Sequence, residues 1–329
     1  MSPLAVDPAG PSEGPAVLAI DVGGTTMKGS VVDGTGRLRH SLVVPSGVAE
    51  GIDPVEAVRT LGRRLRDDAL ALGATPAGIG VVTPGIVDEA AGVVRYASNI
   101  RFRDVPLRAL VGDDLGLPVA VGHDVRTAGV AEAVAGAGRG LDNFLLLPLG
   151  TGIAATVVVH GMPVPGTTWS AGEVGHMPVH PGGEPCSCGQ RGCLEVYASA
   201  GGLAKRYVRL GGVSGLDSRA IAAAYHTDPL ARSVWDDATE ALGLALATLT
   251  LTLDPARIVL GGGLAQAGDQ LFDPVRTALA GALAWRDAPE LLPSAFGATA
   301  AQVGAAILAR RAAGLPVPDG WGALEPVGS

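Results

Sequence analysis

The stretch AVLAIDVGGTTMKGSVVD, residues 16–33, combines a short apolar strand, a glycine turn and a second apolar strand. The apolar run 38–44 follows the next turn, so residues 16–44 predict an antiparallel meander. The second half of the chain begins in the same way, with strands over 143–149 and 153–159 on either side of Gly150-Thr151-Gly152. We interpret this recurrence as a weak internal repeat.

Strands and helices alternate along the rest of the chain, which is typical of an α/β protein. Apolar residues at helical spacing predict helices, and short apolar runs between them predict strands. The helices are expected over 54–72, 126–134, 230–253 and 300–312, and the strands over 78–82, 118–121 and 257–260. The glycine-rich run 135–140 is the expected domain boundary.

The composition argues against several classes of protein. The 329 residues include 24 basic and 32 acidic side chains, and the net charge of −8 argues against a sequence-independent nucleic-acid binder. No apolar run reaches the length of about 20 residues that a membrane-spanning helix needs. The first 15 residues lack the basic start and apolar stretch of a signal peptide. We therefore expect a cytoplasmic protein with no membrane or nucleic-acid partner.

The first glycine turn, Asp21-Val22-Gly23-Gly24-Thr25-Thr26, has the composition of an anion site. Its glycines let backbone N–H groups face an anion, and its threonine hydroxyls add donors. Asp21, at the end of a strand, is a candidate ligand for hydrated Mg²⁺. A plain hairpin turn is the alternative. A Walker A loop and a dinucleotide fingerprint are excluded, because a strand follows where a helix would have to begin.

Two further glycine turns extend this pattern. Gly150-Thr151-Gly152 is the equivalent turn in the second half, and two such turns facing each other across a cleft would grip a polyphosphate from both sides. Gly261-Gly262-Gly263 directly follows a strand, where bare backbone suits the face of a purine. A simple packing turn is the alternative for this third site.

A carboxylate and a histidine-cysteine cluster are the other candidates for chemistry. Asp124 lies between a strand and a helix, where it can accept a proton from a substrate hydroxyl or cap the helix. The spacing His176-x9-Cys186-x-Cys188-x4-Cys193 offers one imidazole and three thiolates, which predicts a closed, structural zinc site. Glu173 and Glu195 flank this loop. They are free to accept hydrogen bonds from sugar hydroxyls, and the alternative is that they are solvated surface carboxylates.

Together these motifs resemble the ROK family (repressors, open reading frames, kinases), within the actin-like sugar kinase fold. The resemblance covers about residues 16–315. It is carried by a first phosphate loop, a catalytic strand–helix, a second phosphate loop, a zinc-loop signature and an adenosine loop. In the same order, these are DVGGTTMKGSVVD, GHDVRTAGVAE, LGTGIAATVVVHG, GEVGHMPVHPGGEPCSCGQRGCLEVYAS and IVLGGGLAQAG.

The resemblance implies a two-lobed, actin-like (ribonuclease H-like) α/β fold with a cleft between the lobes. The expected organisation is a disordered tail over 1–15, a smaller lobe over 16–136 completed by helix 300–313, and a larger lobe over 137–299 with the zinc loop 173–195. The implied activity is ATP-dependent phosphorylation of a hexose hydroxyl, glucokinase-like at the 6-position, with ATP, Mg²⁺ and structural Zn²⁺. A homodimer or homotetramer is implied. An N-acetylhexosamine kinase and a non-enzymatic sugar sensor are the alternatives.

The family's site residues are carried over by position. Asp124 would be the general base, and Glu173, His176 and Glu195 would contact the sugar, with His176 also on zinc. Asn99 matches an asparagine near the sugar, and Gly85 lies in the matching Thr-Pro-Gly loop.

One position departs from the family. His123 stands where the family usually has an asparagine that binds a sugar hydroxyl, so we expect an altered sugar preference and a sugar affinity that changes around the pKa of this histidine, which is near 6.5 when unperturbed. Packing behind the site is the alternative for this histidine. Because only 20 residues precede Asp21, we expect no helix-turn-helix domain of the kind that the family's repressors carry.

Overall fold

The computed structural model describes residues 14–317, so almost all of the tail predicted over 1–15 lies outside the described residues. The chain forms two compact units. The first contains the chain up to Arg139, the segment Pro165–Ser170 and the chain from Thr299 onward. The second contains Gly140–Val164 and Ala171–Ala298. Within residues 14–317, every helix is too short or too polar to cross a membrane.

The first unit is built on a five-stranded sheet of order β3-β2-β1-β4-β8. Its elements in chain order are β1 (Ala16–Val22), β2 (Thr26–Val32), β3 (Leu38–Pro45), α1 (Pro54–Ala71), β4 (Pro76–Thr83), β5 (Ile86–Asp88), β6 (Val93–Ala97), β7 (Phe102–Val105), α2 (Leu107–Leu115), β8 (Val119–His123) and α3 (Asp124–Ala135). Strands β1, β2 and β3 pair antiparallel, whereas β4 pairs parallel with β1 and β8. The predicted meander is confirmed.

Helices cover this sheet through apolar stripes and one close backbone approach. Helix α1 is capped by Asp53, whose side chain accepts the N–H of Val55, and it buries Val58, Leu61 and Leu65. The last helix of the chain, α9 (Ala300–Ala312), packs on β1, β4 and β8. A Cβ atom at Gly80 of β4 would overlap the carbonyl oxygen of Ala305, so glycine is required where α9 contacts the sheet.

A small antiparallel sheet of order β5-β6-β7 follows β4 and was not predicted. Its strands are three to five residues long and mix buried with exposed positions. Runs this short are too brief to show a period of two. The loop between β6 and β7 carries Asn99.

The second unit repeats the main sheet of the first. Its elements are β9 (Phe144–Pro148), β10 (Thr156–Val159), β11 (Met162–Pro163), α4 (Leu194–Ala198), α5 (Ala200–Arg209), α6 (Ser218–Ala223), α7 (Pro229–Leu253), β12 (Arg257–Gly261), α8 (Asp269–Gly281) and β13 (Glu290–Pro293). The strand order is β11-β10-β9-β12-β13, with three antiparallel strands and then two parallel ones. The internal repeat is therefore confirmed, although the strand predicted over 153–159 begins only at Thr156.

Candidate active site

The turn between β1 and β2 is braced by a neighbouring loop. Within the turn, the N–H of Gly23 donates to the carbonyl of Thr26 at 3.0 Å. Ser46 holds it from the side, because its hydroxyl donates to the carbonyl of Gly24 at 2.7 Å and its N–H donates to that of Thr25 at 2.9 Å. Thr25 and Thr26 are exposed, which leaves both side chains accessible to a ligand.

Asp21 lies at the end of β1 beside a cation that the sequence analysis missed. The Lys28 ammonium is 3.9 Å from Oδ2 of Asp21. The two residues are paired across the hairpin, and this register follows from the position of the turn, so the motif itself contained the signal. Burial raises the pKa of Asp21 to about 6, an effect that Lys28 opposes and the nearby Asp124 carboxylate reinforces.

The small sheet places Asn99 against the first glycine turn. The carbonyl oxygen of Asn99 lies 3.1 Å from the point that a Cβ atom at Gly24 would occupy. Gly85 has a φ of 101°, and a Cβ atom there would overlap the carbonyl oxygen of Tyr96. Gly85 therefore allows β6 to lie against the end of β4, and it acts on the position of the Asn99 loop.

The junction between β8 and α3 assigns His123 and Asp124 different roles. His123 is the last residue of β8, and its Nδ1 accepts the N–H of Arg126 at 3.3 Å. His123 is thus the N-cap of α3, and the alternative role that we considered for Asp124, the helix cap, is wrong. Asp124 is the first residue of the helix, and its Oδ1 accepts the N–H of Val125 at 2.7 Å.

Burial shifts the pKa values of both side chains at this junction, His123 and Asp124. It raises the pKa of the Asp124 carboxyl, although the N–H of Val125 and the guanidinium of Arg126 oppose the shift. Burial, with the charge of Arg126, lowers the pKa of His123 to about 4. The value of 6.5 applied to an unperturbed histidine, and burial moves the pKa of His123 below it.

A partly buried ion pair that the sequence analysis missed holds the junction. Arg126 is only 3% exposed, and its Nε donates to Oε1 of Glu89 at 3.0 Å. The same carboxylate oxygen accepts the backbone N–H of His123 at 3.0 Å. The two Nη atoms of Arg126 donate to the carbonyls of Val87 and Trp169. Trp169 lies in the segment Pro165–Ser170. This segment belongs to the first unit, although the residues before and after it along the chain belong to the second.

In the second unit, a carboxylate holds the equivalent glycine turn. The N–H of Gly150 donates to the carbonyl of Gly152 at 3.1 Å, and Thr151 between them is exposed. Oε2 of Glu195 accepts the N–H of Ile153 at 2.9 Å. The same oxygen lies 2.6 Å from the point that a Cβ atom at Gly152 would occupy, so a side chain there would displace the carboxylate. Glu195 therefore shapes this turn.

The histidine and the three cysteines converge as predicted. The ligand atoms of His176, Cys186, Cys188 and Cys193 all lie within 4.8 Å of one another. The sulfurs of Cys188 and Cys193 are 3.7 Å apart, and Cys186 Sγ is 3.8 Å from Nδ1 of His176. Four ligands about 2.3 Å from a tetrahedral zinc ion stand about 3.8 Å from each other, so the cluster fits the ion.

Glu173 lies next to this cluster on a short helical turn. Its side chain is half exposed, and Oε2 is 4.0 Å from Nε2 of His176. Because Nδ1 of His176 faces the thiols, Nε2 is the ring nitrogen on the side of Glu173. The arrangement leaves one nitrogen for a metal and one for another partner.

The third glycine turn has a packing role, one of the two interpretations considered for it, and it also borders a cavity. Gly262 has a φ of 78°, and a Cβ atom there would lie 2.5 Å from the carbonyl oxygen of Leu149, so this glycine packs on the residue that follows β9. Nothing lies within 4 Å of the corresponding point at Gly263. Gly263 lines a cavity of about 320 Å³ together with the polar side chains Arg219, Gln266 and Gln270.

Comparison with known proteins agrees with this geometry. The family model described as "ROK family" matches residues 17–312. A glucokinase of Halalkalibacterium halodurans is 34% identical over 284 residues, 79% of this chain and 83% of that protein. The ROK hexokinase of Thermus thermophilus is 32% identical, with a TM-score of 0.76 over 90% of this chain and 98% of that one.

A ROK family glucokinase from Streptomyces griseus, in complex with glucose and AMPPNP, is 31% identical. The TM-score is 0.74, with 90% of this chain and 99% of that chain covered. The expected actin-like α/β fold is confirmed by these matches. The chain therefore belongs to the ROK family.

Proposed function

We propose that the protein is an ATP-dependent sugar kinase that phosphorylates a hexose, at the 6-hydroxyl as a glucokinase does. The observation that carries the proposal is the Asp124 carboxylate at the junction of β8 and α3. It lies in the same unit as the glycine turn of β1 and β2, and close enough to Asp21 to affect its pKa. A base and an anion site in one unit suit transfer of a phosphoryl group to a hydroxyl.

Asp124 would accept the proton of the attacking hydroxyl. Phosphoryl transfer depends mostly on positioning and charge neutralisation, so a single well-placed base is sufficient for the proton. Burial raises the pKa of Asp124, which makes its ionised carboxylate a stronger base than an exposed one. Glu89 and Arg126 hold the backbone from which this carboxylate projects.

Each unit offers donors that suit a nucleotide. In the first unit these are the amide of Gly24 and the hydroxyls of Thr25 and Thr26, beside Gly23, whose own N–H is used within the turn. In the second unit, the turn over 150–152 would hold phosphate, and the cavity beside Gly263 would hold the adenine. Asp21 offers a carboxylate to Mg²⁺, which when bound neutralises phosphate charge. Lys28 adds a cation at the same hairpin.

The first unit offers Asn99 and His123 to a sugar. The second unit offers Glu173, His176 and Glu195. Nδ1 of His176 would bind zinc together with the three thiolates, which leaves Nε2 of the same ring for a sugar hydroxyl. Zinc would serve as a structural ion, because four protein ligands leave no open position. Glu195 lies two residues after Cys193, so the ion would fix the start of α4 that carries it.

A coupled assay of ATP-dependent phosphorylation tests the proposal. The panel is glucose, mannose, N-acetylglucosamine and N-acetylmannosamine. We expect turnover of at least one hexose, and Asp124→Asn should lower kcat about 10²–10⁴-fold while sugar binding persists. Asp113→Asn, at an exposed carboxylate of α2, is the matched control and should leave kcat unchanged.

Two outcomes would contradict the proposal. Sugar binding by the unmodified protein without any phosphorylation across the panel would favour a sugar sensor. An Asp124→Asn variant within about threefold of the unmodified enzyme would require a different base.

A further inference from the structure

The two ring nitrogens of His123 have different surroundings. Nδ1 accepts the N–H of Arg126 at 3.3 Å. Nε2 makes no hydrogen bond within the described residues, yet it is not one of the polar atoms sealed in the interior without a partner. Although the residue as a whole is only 7% exposed, Nε2 therefore keeps some solvent-accessible surface.

The helix cap determines which nitrogen carries the proton. The N–H of Arg126 belongs to the first turn of α3 and has no acceptor within the helix, so it needs the lone pair of Nδ1. A neutral imidazole carries one proton, and with Nδ1 acting as acceptor that proton is on Nε2. Oδ1 of Asp124, 3.4 Å from Nδ1, already accepts the N–H of Val125 at 2.7 Å.

The surrounding contacts hold His123 and Arg126 in place, which disfavours transfer of the ring proton from Nε2 to Nδ1. Glu89 accepts the backbone N–H of His123, and Arg126 is buried against Glu89 and two carbonyl oxygens. A proton on Nδ1 would point at the N–H of Arg126 and leave that amide unpaired. Nδ1 has a single lone pair, whereas the side-chain oxygen of an asparagine cap has two and can accept a second hydrogen bond.

We propose that His123 is a specificity-determining residue that acts as a fixed hydrogen-bond donor: Nε2–H selects a sugar with an acceptor atom next to the reacting hydroxyl. A hydroxyl oxygen or an acyl carbonyl satisfies this donor, and an ammonium group does not. The inference rests on the proposed function, because Asp124, the neighbouring residue, marks the place of the reacting hydroxyl. The lowered pKa of His123 keeps the ring in this neutral form at physiological pH.

The protonation of the ring is measured without any activity. Protein labelled with ¹⁵N-histidine gives long-range ¹H–¹⁵N correlations that distinguish the two neutral forms, and the signals absent from His123→Asn identify this residue. We expect the Nε2–H form at pH 7. Signals of the Nδ1–H form, with the proton directed at Asp124, would overturn the proposal.

Substrate analogues test the selection itself. At each carbon, the deoxy sugar lacks the oxygen, whereas the deoxyfluoro sugar keeps a weak acceptor and loses the donor. We expect one carbon at which the fluoro sugar exceeds the deoxy sugar in kcat/KM by about tenfold, and the ammonium of an amino sugar to be rejected at that carbon. In His123→Asp, which keeps a capping acceptor but has no N–H donor, this ratio should fall toward one, whereas His123→Asn keeps an amide donor and should preserve part of it.

The outcomes separate this inference from the proposed function. Equal kcat/KM values for deoxy and fluoro sugars at every carbon would overturn the donor role of His123 while leaving the kinase intact. Full activity of Asp124→Asn would instead contradict the assigned base, and the ¹⁵N result on His123 would be unaffected.

Discussion

At the scale of single residues, Asp21 is a carboxylate whose surroundings in the folded chain disfavour its negative charge. Burial raises the pKa of Asp21 to about 6, from 3.8 for an ordinary aspartate. A carboxyl whose pKa is higher in the folded chain than in the unfolded chain is destabilising once it is ionised in both states. The penalty is absent below about pH 4, grows between pH 4 and 6, and is complete above pH 6.

Asp21→Asn should therefore stabilise the protein without Mg²⁺ or nucleotide. We expect the free energy of unfolding at pH 7.5 to rise by up to about 3 kcal/mol, the equivalent of two pKa units, and the gain to vanish near pH 4. Urea denaturation at both pH values measures it, and phosphoryl transfer should be lost. Equal stability of variant and unmodified protein at pH 7.5 would show that Asp21 ionises without penalty.

His123 shows what the local sequence does and does not determine. A histidine before an aspartate at the end of an apolar run was enough to predict a site there. Whether the strand ends at residue 122 or 123 decides which side chain caps α3, and that end is set by pairing with β4, where Thr83 lies opposite His123. No local pattern contains this register, so the sequence analysis named the cap only as an alternative role of Asp124 and did not consider His123 for it.

At the scale of elements, the zinc loop connects metal binding to the second glycine turn. Cys193 precedes α4, and Glu195 on that helix accepts the N–H of Ile153. Cys188→Ser should lower bound zinc to below one ion per chain and raise KM for the sugar more than it lowers kcat, because Asp124 lies in the other unit. Metal analysis and steady-state kinetics measure the two effects.

Ser187→Ala, at the exposed neighbour of the same loop, is the matched control and should retain zinc. Purified protein that holds no zinc, and a KM that chelation does not change, would contradict this role of the loop.

The junction of β8 and α3 depends on the hydrogen bonds that Arg126 donates. Arg126→Met would leave the carbonyls of Val87 and Trp169 without their donors, and we expect a loss of about 1–3 kcal/mol in the free energy of unfolding. Because Glu89 also holds the N–H of His123, kcat should fall as well. Arg39→Met, at a buried arginine of β3 paired with Asp33, is the matched control and should lower stability alone. Equal losses of kcat in both variants would indicate a merely structural role.

The elements that the sequence predicted share a long and regular pattern. Helix α9 was predicted with its observed ends, and α7 within one residue, because both are long and strongly patterned. Strand β13 and the sheet of β5, β6 and β7 were missed, since strands of three to five residues show little periodicity. Glu89 and Arg126 were missed for another reason: 37 residues separate them, and only the fold brings them together.

At the scale of the whole molecule, the first unit depends on a helix from the far end of the chain. Gly80→Ala would push a methyl group into the backbone of α9 at Ala305, and overpacking of this kind destabilises by about 1–3 kcal/mol. Denaturant unfolding measures the loss. Gly281→Ala, where the added atom meets nothing within 4 Å, is the control and should be nearly neutral. A neutral Gly80→Ala would show that α9 can move away from β4 without penalty.

The distance along the chain between β4 and α9 also sets an order for folding during synthesis. Strands β1 to β4 leave the ribosome early, but the helix that covers them follows about 165 residues after α3, a delay of roughly 8 to 33 s at ordinary rates of translation. The second unit consists almost entirely of the chain made in that interval. The unit whose sheet is translated first is therefore completed last, and its uncovered sheet face is exposed to chaperones and proteases until α9 emerges.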